Sequence, residues 1–218
     1  MPPRYLERPE ARADHVNPTL ALPYGMAGAG VVAAVSDVYA YLHALNSASV
    51  EYGYGRLEDI MQPAGFSGLL SNVFVRAIAR EFTSATPGLA VNQHGNGRPD
   101  LVPRAVYPND YILHGDEGIE VKASRSRTSW QGHNIEPGWL MIVQFEIDIT
   151  TAPTYDRAPT TISRVMLARL EVADWNFSGR SATSRRTPTA SVNLSGRAKL
   201  EVGTIYDRRS PWLTAATP

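Results

Sequence analysis

The sequence predicts an α/β or α+β sandwich, with helices in the N-terminal part and strands after them. Three observations carry that expectation. Apolar residues recur at spacings of three and four in the first third of the chain. The region after about residue 115 turns to alternating and all-apolar runs rich in β-branched residues. One of those runs is apolar on both faces, as in a strand covered by layers on both sides.

Taken in order, Val31, Val35, Val38, Leu42 and Leu45 form one stripe of a helix expected from about Gly30 to Asn46. A shorter helical piece around Leu57 to Met61 is expected to stop at Pro63. A second long helix, with Ser67 as its N-cap, carries Leu70, Phe74, Ile78 and Phe82 down one ridge and ends near Glu81 or Phe82. "TPGLAVNQHGNGRPDLVPRAVYPND" then reads as loops around short extended pieces. "GIEVKAS", "GWLMIVQFEIDI" and "TISRVMLARLEV" read as strands, the second central from Trp139 to Ile149. "SGRSATSRRTPTAS" reads as a mobile loop, and Ser195 as the cap of a short helix holding Arg197 and Lys199.

Composition narrows the chemistry. The 218 residues suit one domain with a real core. A hydrophobic fraction of 43% and a charged fraction of 19% are those of a folded soluble chain. With no signal-like segment at the start, the expected location is the cytoplasm, away from membranes. The absence of cysteine removes disulfides, thiolate catalysis and cysteine–metal sites, so any metal must be held by oxygen or imidazole ligands. Net charge is zero, yet from Asn176 to Arg209 the basic residues Arg180, Arg185, Arg186, Arg197, Lys199, Arg208 and Arg209 face only Glu201 and Asp207. Lysine is scarce, occurring only at Lys122 and Lys199.

That scarcity draws attention to "GIEVKASR", residues 118–125. On a strand, Glu120 and Lys122 project from one face about 6.6 Å apart while Ile119 and Val121 pack on the other. Asp100, in "GRPDLV", supplies a second carboxylate. Two hard oxygen ligands suit Mg²⁺, which fills the rest of its shell with water and phosphate oxygens. A lysine beside them can orient or deprotonate a water in a way that a guanidinium cannot.

Pro99-Asp100, nineteen residues, then Glu120-Val121-Lys122 resembles the PD-(D/E)xK nuclease motif. The resemblance covers roughly residues 99–145 and implies a restriction-endonuclease-like mixed central β-sheet flanked by helices, with Mg²⁺ as cofactor. It further implies that Asp100 and Glu120 bind metal, joined by the Val121 carbonyl, and that Lys122 positions the water. Many members add an acid from a preceding helix, for which Glu81 is the candidate, with Glu51, Glu58 and Asp59 left open.

The segment "SRSRTSWQGHNIEPGW" leaves the Glu-x-Lys strand carrying Arg125, Arg127, Gln131, His133 and Asn134, residue types that contact phosphates or base edges. It reads equally well as an ordinary polar loop with Trp130 tucked against the sheet. Gln144 and Glu146 share a strand face that either lines the site or meets solvent. Arg185 and Arg186 join the expected DNA-binding set. The expected organisation is a single domain: helical to about residue 85, a catalytic sheet at about 95–175, and a basic DNA-contacting part at about 176–218. The expected function is a type II restriction endonuclease cleaving double-stranded DNA as a homodimer. The alternatives are a structure-specific repair or recombination nuclease and a non-catalytic DNA-binding or protein-interaction module.

Overall fold

The computed structural model describes residues 2–132, 135–178, 189–209 and 212. Helix α1 (Gly28–Glu51) extends the expected stripe by two residues at its start and five at its end, burying Val31, Val35, Val38 and Leu42. Among the described residues it is the one helix long and apolar enough to cross a membrane, and its stripe lies instead in the protein core. Helix α2 (Leu57–Ile60) is one turn. Its anchor is Arg56, fully buried, which donates to Asp59 and to the Asp148 carbonyl at 2.5 Å.

Helix α3 (Pro63–Glu81) starts four residues before the expected cap. Proline at the first helical position forfeits no hydrogen bond, because that N–H has no intrahelical acceptor. Pro63 therefore opens α3. Ser67 lies inside the helix, its hydroxyl donating to the Pro63 carbonyl at 3.0 Å. Leu70, Phe74 and Ile78 are buried as their spacing requires.

Among the described residues nine strands follow: β1 (Leu89–Val91), β2 (Leu101–Pro103), β3 (Ile119–Ser124), β4 (Gln131–Gly132), β5 (Gly138–Glu146), β6 (Thr161–Leu170), β7 (Trp175–Ser178), β8 (Thr189–Val192) and, after helix α4 (Leu194–Val202), β9 (Thr204–Asp207). Six of them form a mixed sheet in the order β1-β2-β3-β5-β6-β9, parallel only between β3 and β5. The other three form a small antiparallel sheet, β4-β8-β7, that the sequence does not announce. The polar ends of the expected mobile stretch belong to β7 and β8, and its residues 179–188 lie outside the described residues.

The main sheet is covered on both faces. Met141, Val143 and Phe145 face α1 and α3. Leu140 and Ile142 face a second core with Trp130, Trp175, Val192 and Leu200. β5 is thus central, but it ends at Glu146 rather than Ile149. Asp148 ends it by accepting from the backbone N–H groups of Thr150, Thr151 and Ala158, which turns the chain. The cap of α4 is also displaced: Asn193 accepts from the Gly196 N–H at 3.1 Å, while Ser195 donates to Asp174.

Gly118 immediately precedes β3 at φ +134°, where a Cβ would lie 2.2 Å from the Leu101 carbonyl oxygen. Its N–H donates to the Tyr24 hydroxyl, which in turn donates to Glu117. This close approach lets β2 reach β3. Gly118→Ala is expected to lower stability by at least about 2 kcal/mol, measured by urea unfolding; an unchanged midpoint would contradict the close packing.

Candidate active site

The site is assembled where the short β2 meets β3. Asn92 organises the approach: its side-chain amide donates to the carbonyls of Pro99 and Ile112, and its side-chain oxygen accepts from His94 and Ile112 N–H groups. Its own N–H donates to the Asp100 carbonyl at 2.9 Å. This single buried residue therefore fixes the backbone on both sides of Asp100. β2 and β3 pair only at Leu101 and Ile119, and carrying that antiparallel register back by one pair places Asp100 opposite Glu120.

The three motif residues converge. Asp100 Oδ2 accepts from the Val121 N–H at 2.8 Å, and Lys122 Nζ donates to Glu120 Oε1 at 2.9 Å. Glu120 and Lys122 are half-buried, while Ile119 and Val121 are buried on the opposite face, as alternation predicts. The Val121 carbonyl accepts from the Ser71 hydroxyl of α3 at 3.1 Å. A carbonyl oxygen has a second lone pair, so that bond leaves room for another partner.

A third carboxylate joins them that the motif does not contain. Glu136 Oε2 stands 3.0 Å from Lys122 Nζ, and Glu136 Oε1 accepts from Arg98. Arg98, His114, Asp116, Glu120, Glu136 and Trp139 line a cleft of about 270 Å³. A second groove of about 480 Å³ is lined by Lys122 together with Ser67 and Ser71 of α3 and Gln131 of β4.

Other expected positions fall elsewhere. Ser71, not Glu81, is the α3 residue that reaches β3. Glu81 stands ten residues further on, about 15 Å along the axis, with its carboxylate near Arg80. Glu58 is bonded to Asn46 and Thr160, and Asp59 to Arg56 and Arg157, in the α2 anchor. Glu51 ends α1, exposed.

Arg125, Arg127 and Gln131 are exposed along the β3–β5 crossover, Arg127 facing Glu146 at 3.4 Å. Gln144 is buried and donates to the carbonyls of Ser126 and Arg127, so it holds this loop rather than lining the cleft. Trp130 is tucked into the second core. His133, Asn134, Arg185 and Arg186 lie outside the described residues.

Comparison with protein-family models, curated proteins and solved structures finds no match to this chain.

The fit to a divalent cation is then decided by the residues themselves. Among the described residues no three His, Asp or Glu groups form a ready metal cage. Two carboxylates are nevertheless enough for Mg²⁺. Burial, and after it the Glu120 charge, raises Asp100 to about 6, and Glu120 Oε2 is buried with no protein hydrogen-bond partner. A carboxylate pair short of positive charge, with one oxygen unengaged, fits a hard cation.

The raised Asp100 has a consequence for stability. Between its ordinary value of 3.8 and about 6 the folded state keeps a proton that the unfolded chain has released, so this contribution falls as pH rises through that window. The slope is at most about 1.4 kcal/mol per pH unit. Asp100→Asn, which keeps the acceptor for Val121, should gain stability relative to wild type as pH rises from 4 to 7. Urea unfolding in a chelator measures this, and a pH-independent difference would contradict it.

Proposed function

We propose that this chain is a Mg²⁺-dependent endonuclease of the type II restriction class, hydrolysing phosphodiester bonds of double-stranded DNA at a specific sequence as a homodimer. The observation that carries the reading is the convergence of Asp100 and Glu120 across the β2–β3 register, with Lys122 bonded to Glu120, whose side chain lines the cleft.

The roles follow from chemistry. Asp100 and Glu120 would hold the metal, with the free lone pair of the Val121 carbonyl beside them. Mg²⁺, when bound, neutralises charge on the scissile phosphate and lowers the pKa of a bound water. Lys122 would orient the attacking water. Val121 N–H keeps the Asp100 carboxylate turned toward β3. Arg125, Arg127 and Gln131, exposed on the crossover, are available to phosphates and base edges, and a palindromic site calls for two copies related by a twofold axis.

One feature favours a second reading. Arg98, Glu136, Lys122 and Glu120 form a connected chain of ion pairs, which suits a non-catalytic module whose charges serve only structure.

Plasmid DNA incubated with Mg²⁺ separates these. Discrete fragments with 5′-phosphate ends at one sequence are expected, and cleavage should stop with chelator. Random nicking, or cutting confined to branched DNA, would instead favour a structure-specific nuclease. Lys122→Ala should cut at least about 100-fold more slowly, with DNA binding retained in a gel-shift assay. Cleavage at the wild-type rate by that variant would sink the assignment.

A further inference from the structure

We infer that Glu136 is a positioning residue for Lys122: it holds the ammonium in place when Glu120 turns to a divalent cation, and Arg98 fixes Glu136 for that task. The inference rests on the nuclease reading above.

Lys122 lies between two carboxylates, 2.9 Å from Glu120 Oε1 and 3.0 Å from Glu136 Oε2. The two partners are not equivalent. Glu120 sits opposite Asp100, and its lone pairs are needed for the metal. Lys122 uses Glu120 Oε1 while Oε2 is the oxygen left open to a cation, and a carboxylate that shares its charge with Mg²⁺ is a poorer acceptor at its other oxygen. Lysine is a point charge on a flexible stem, so weakening that partner would loosen it.

Glu136 supplies the second partner from outside the metal pair. It reaches the site on the crossover that precedes β5, its side chain is 12% exposed, and each oxygen faces a different cation. Arg98 holds Oε1 through a planar guanidinium, and Oε2, which has no hydrogen-bond partner, is left buried at ion-pair distance from Lys122.

Charge counting points the same way. Three carboxylates and two cations leave the site at −1 when all are ionised; a divalent cation brings it to +1, which one phosphodiester neutralises. Without the Glu136 charge, Lys122 would be left with a Glu120 carboxylate whose charge the cation shares, and the substrate phosphate would compete for it. The ammonium would then pair with the substrate and leave the water.

Glu136→Gln keeps the shape and removes the charge. Its kcat is expected to fall about ten- to a hundred-fold, the range for groups that orient others at a metal site, while KM for DNA stays level or falls. Calorimetric titration with Mg²⁺ should give an affinity within about three-fold of wild type. Arg98→Gln should reproduce a smaller loss of kcat, and matching thermal melts confirm that both variants fold. A ten-fold or greater loss of Mg²⁺ affinity in Glu136→Gln would make Glu136 a ligand and overturn the inference. So would an unchanged kcat in a protein whose wild type cuts DNA. Failure of the wild type to cut any DNA would instead remove the nuclease reading, and this inference with it.

Discussion

The hydrogen bond from the Val121 N–H to the Asp100 carboxylate is the constraint around which the site is built. β2 is only three residues long and touches β3 at a single pair, so the strand bearing Glu120 and Lys122 loses its neighbour just where its charged side chains are concentrated. The exposed edge is finished by side chains instead. Asp100 takes the Val121 N–H, and Ser71 covers the Val121 carbonyl. One carboxylate thus serves as a surrogate strand partner and stands against Glu120, which requires its backbone to be fixed. Asn92, bonded to four neighbouring backbone positions, does that.

The same geometry explains the electrostatics. Placing two carboxylates across a strand pair and under partial burial costs free energy unless a cation is near. Lys122 offsets part of the cost but is shared with Glu136. The surplus negative charge shows itself in the elevated proton affinity of Asp100. The raised proton affinity and the cost to stability have one origin here.

Much of this was legible in the sequence. The stripes at Val31–Leu42 and Leu70–Ile78 specify helices because periodicity is local. β3, β5 and β6 are legible for the same reason, as is the pairing of Glu120 with Lys122 on one face. The small sheet was not legible: its strands are two to four residues long, too short to establish a period, and they exist because Trp130, Trp175 and Val192 share a core. Pro63 reads as a stop from the α2 side and acts as a start for α3, since the cost of proline depends on which side of it the helix lies. Glu136, Ser71 and Asn92 were missed because each acts through a contact to a distant or irregular part of the chain. An acid in an otherwise basic loop was the one available hint of Glu136.

The parallel pairing of β3 with β5 obliges the chain to travel back over a sheet face between residues 125 and 137. That crossover is pinned. Ser126 accepts from the backbone of Thr128 and Ser129, Gln144 grips the carbonyls of Ser126 and Arg127, Trp130 is buried, and Glu136 is clamped by two cations. None of these anchors uses the side chains of Arg127, Thr128 or Ser129, all exposed. The segment is in effect an interchangeable label on a fixed bracket: these three side chains can be exchanged without disturbing the anchors that hold the carboxylate at its far end.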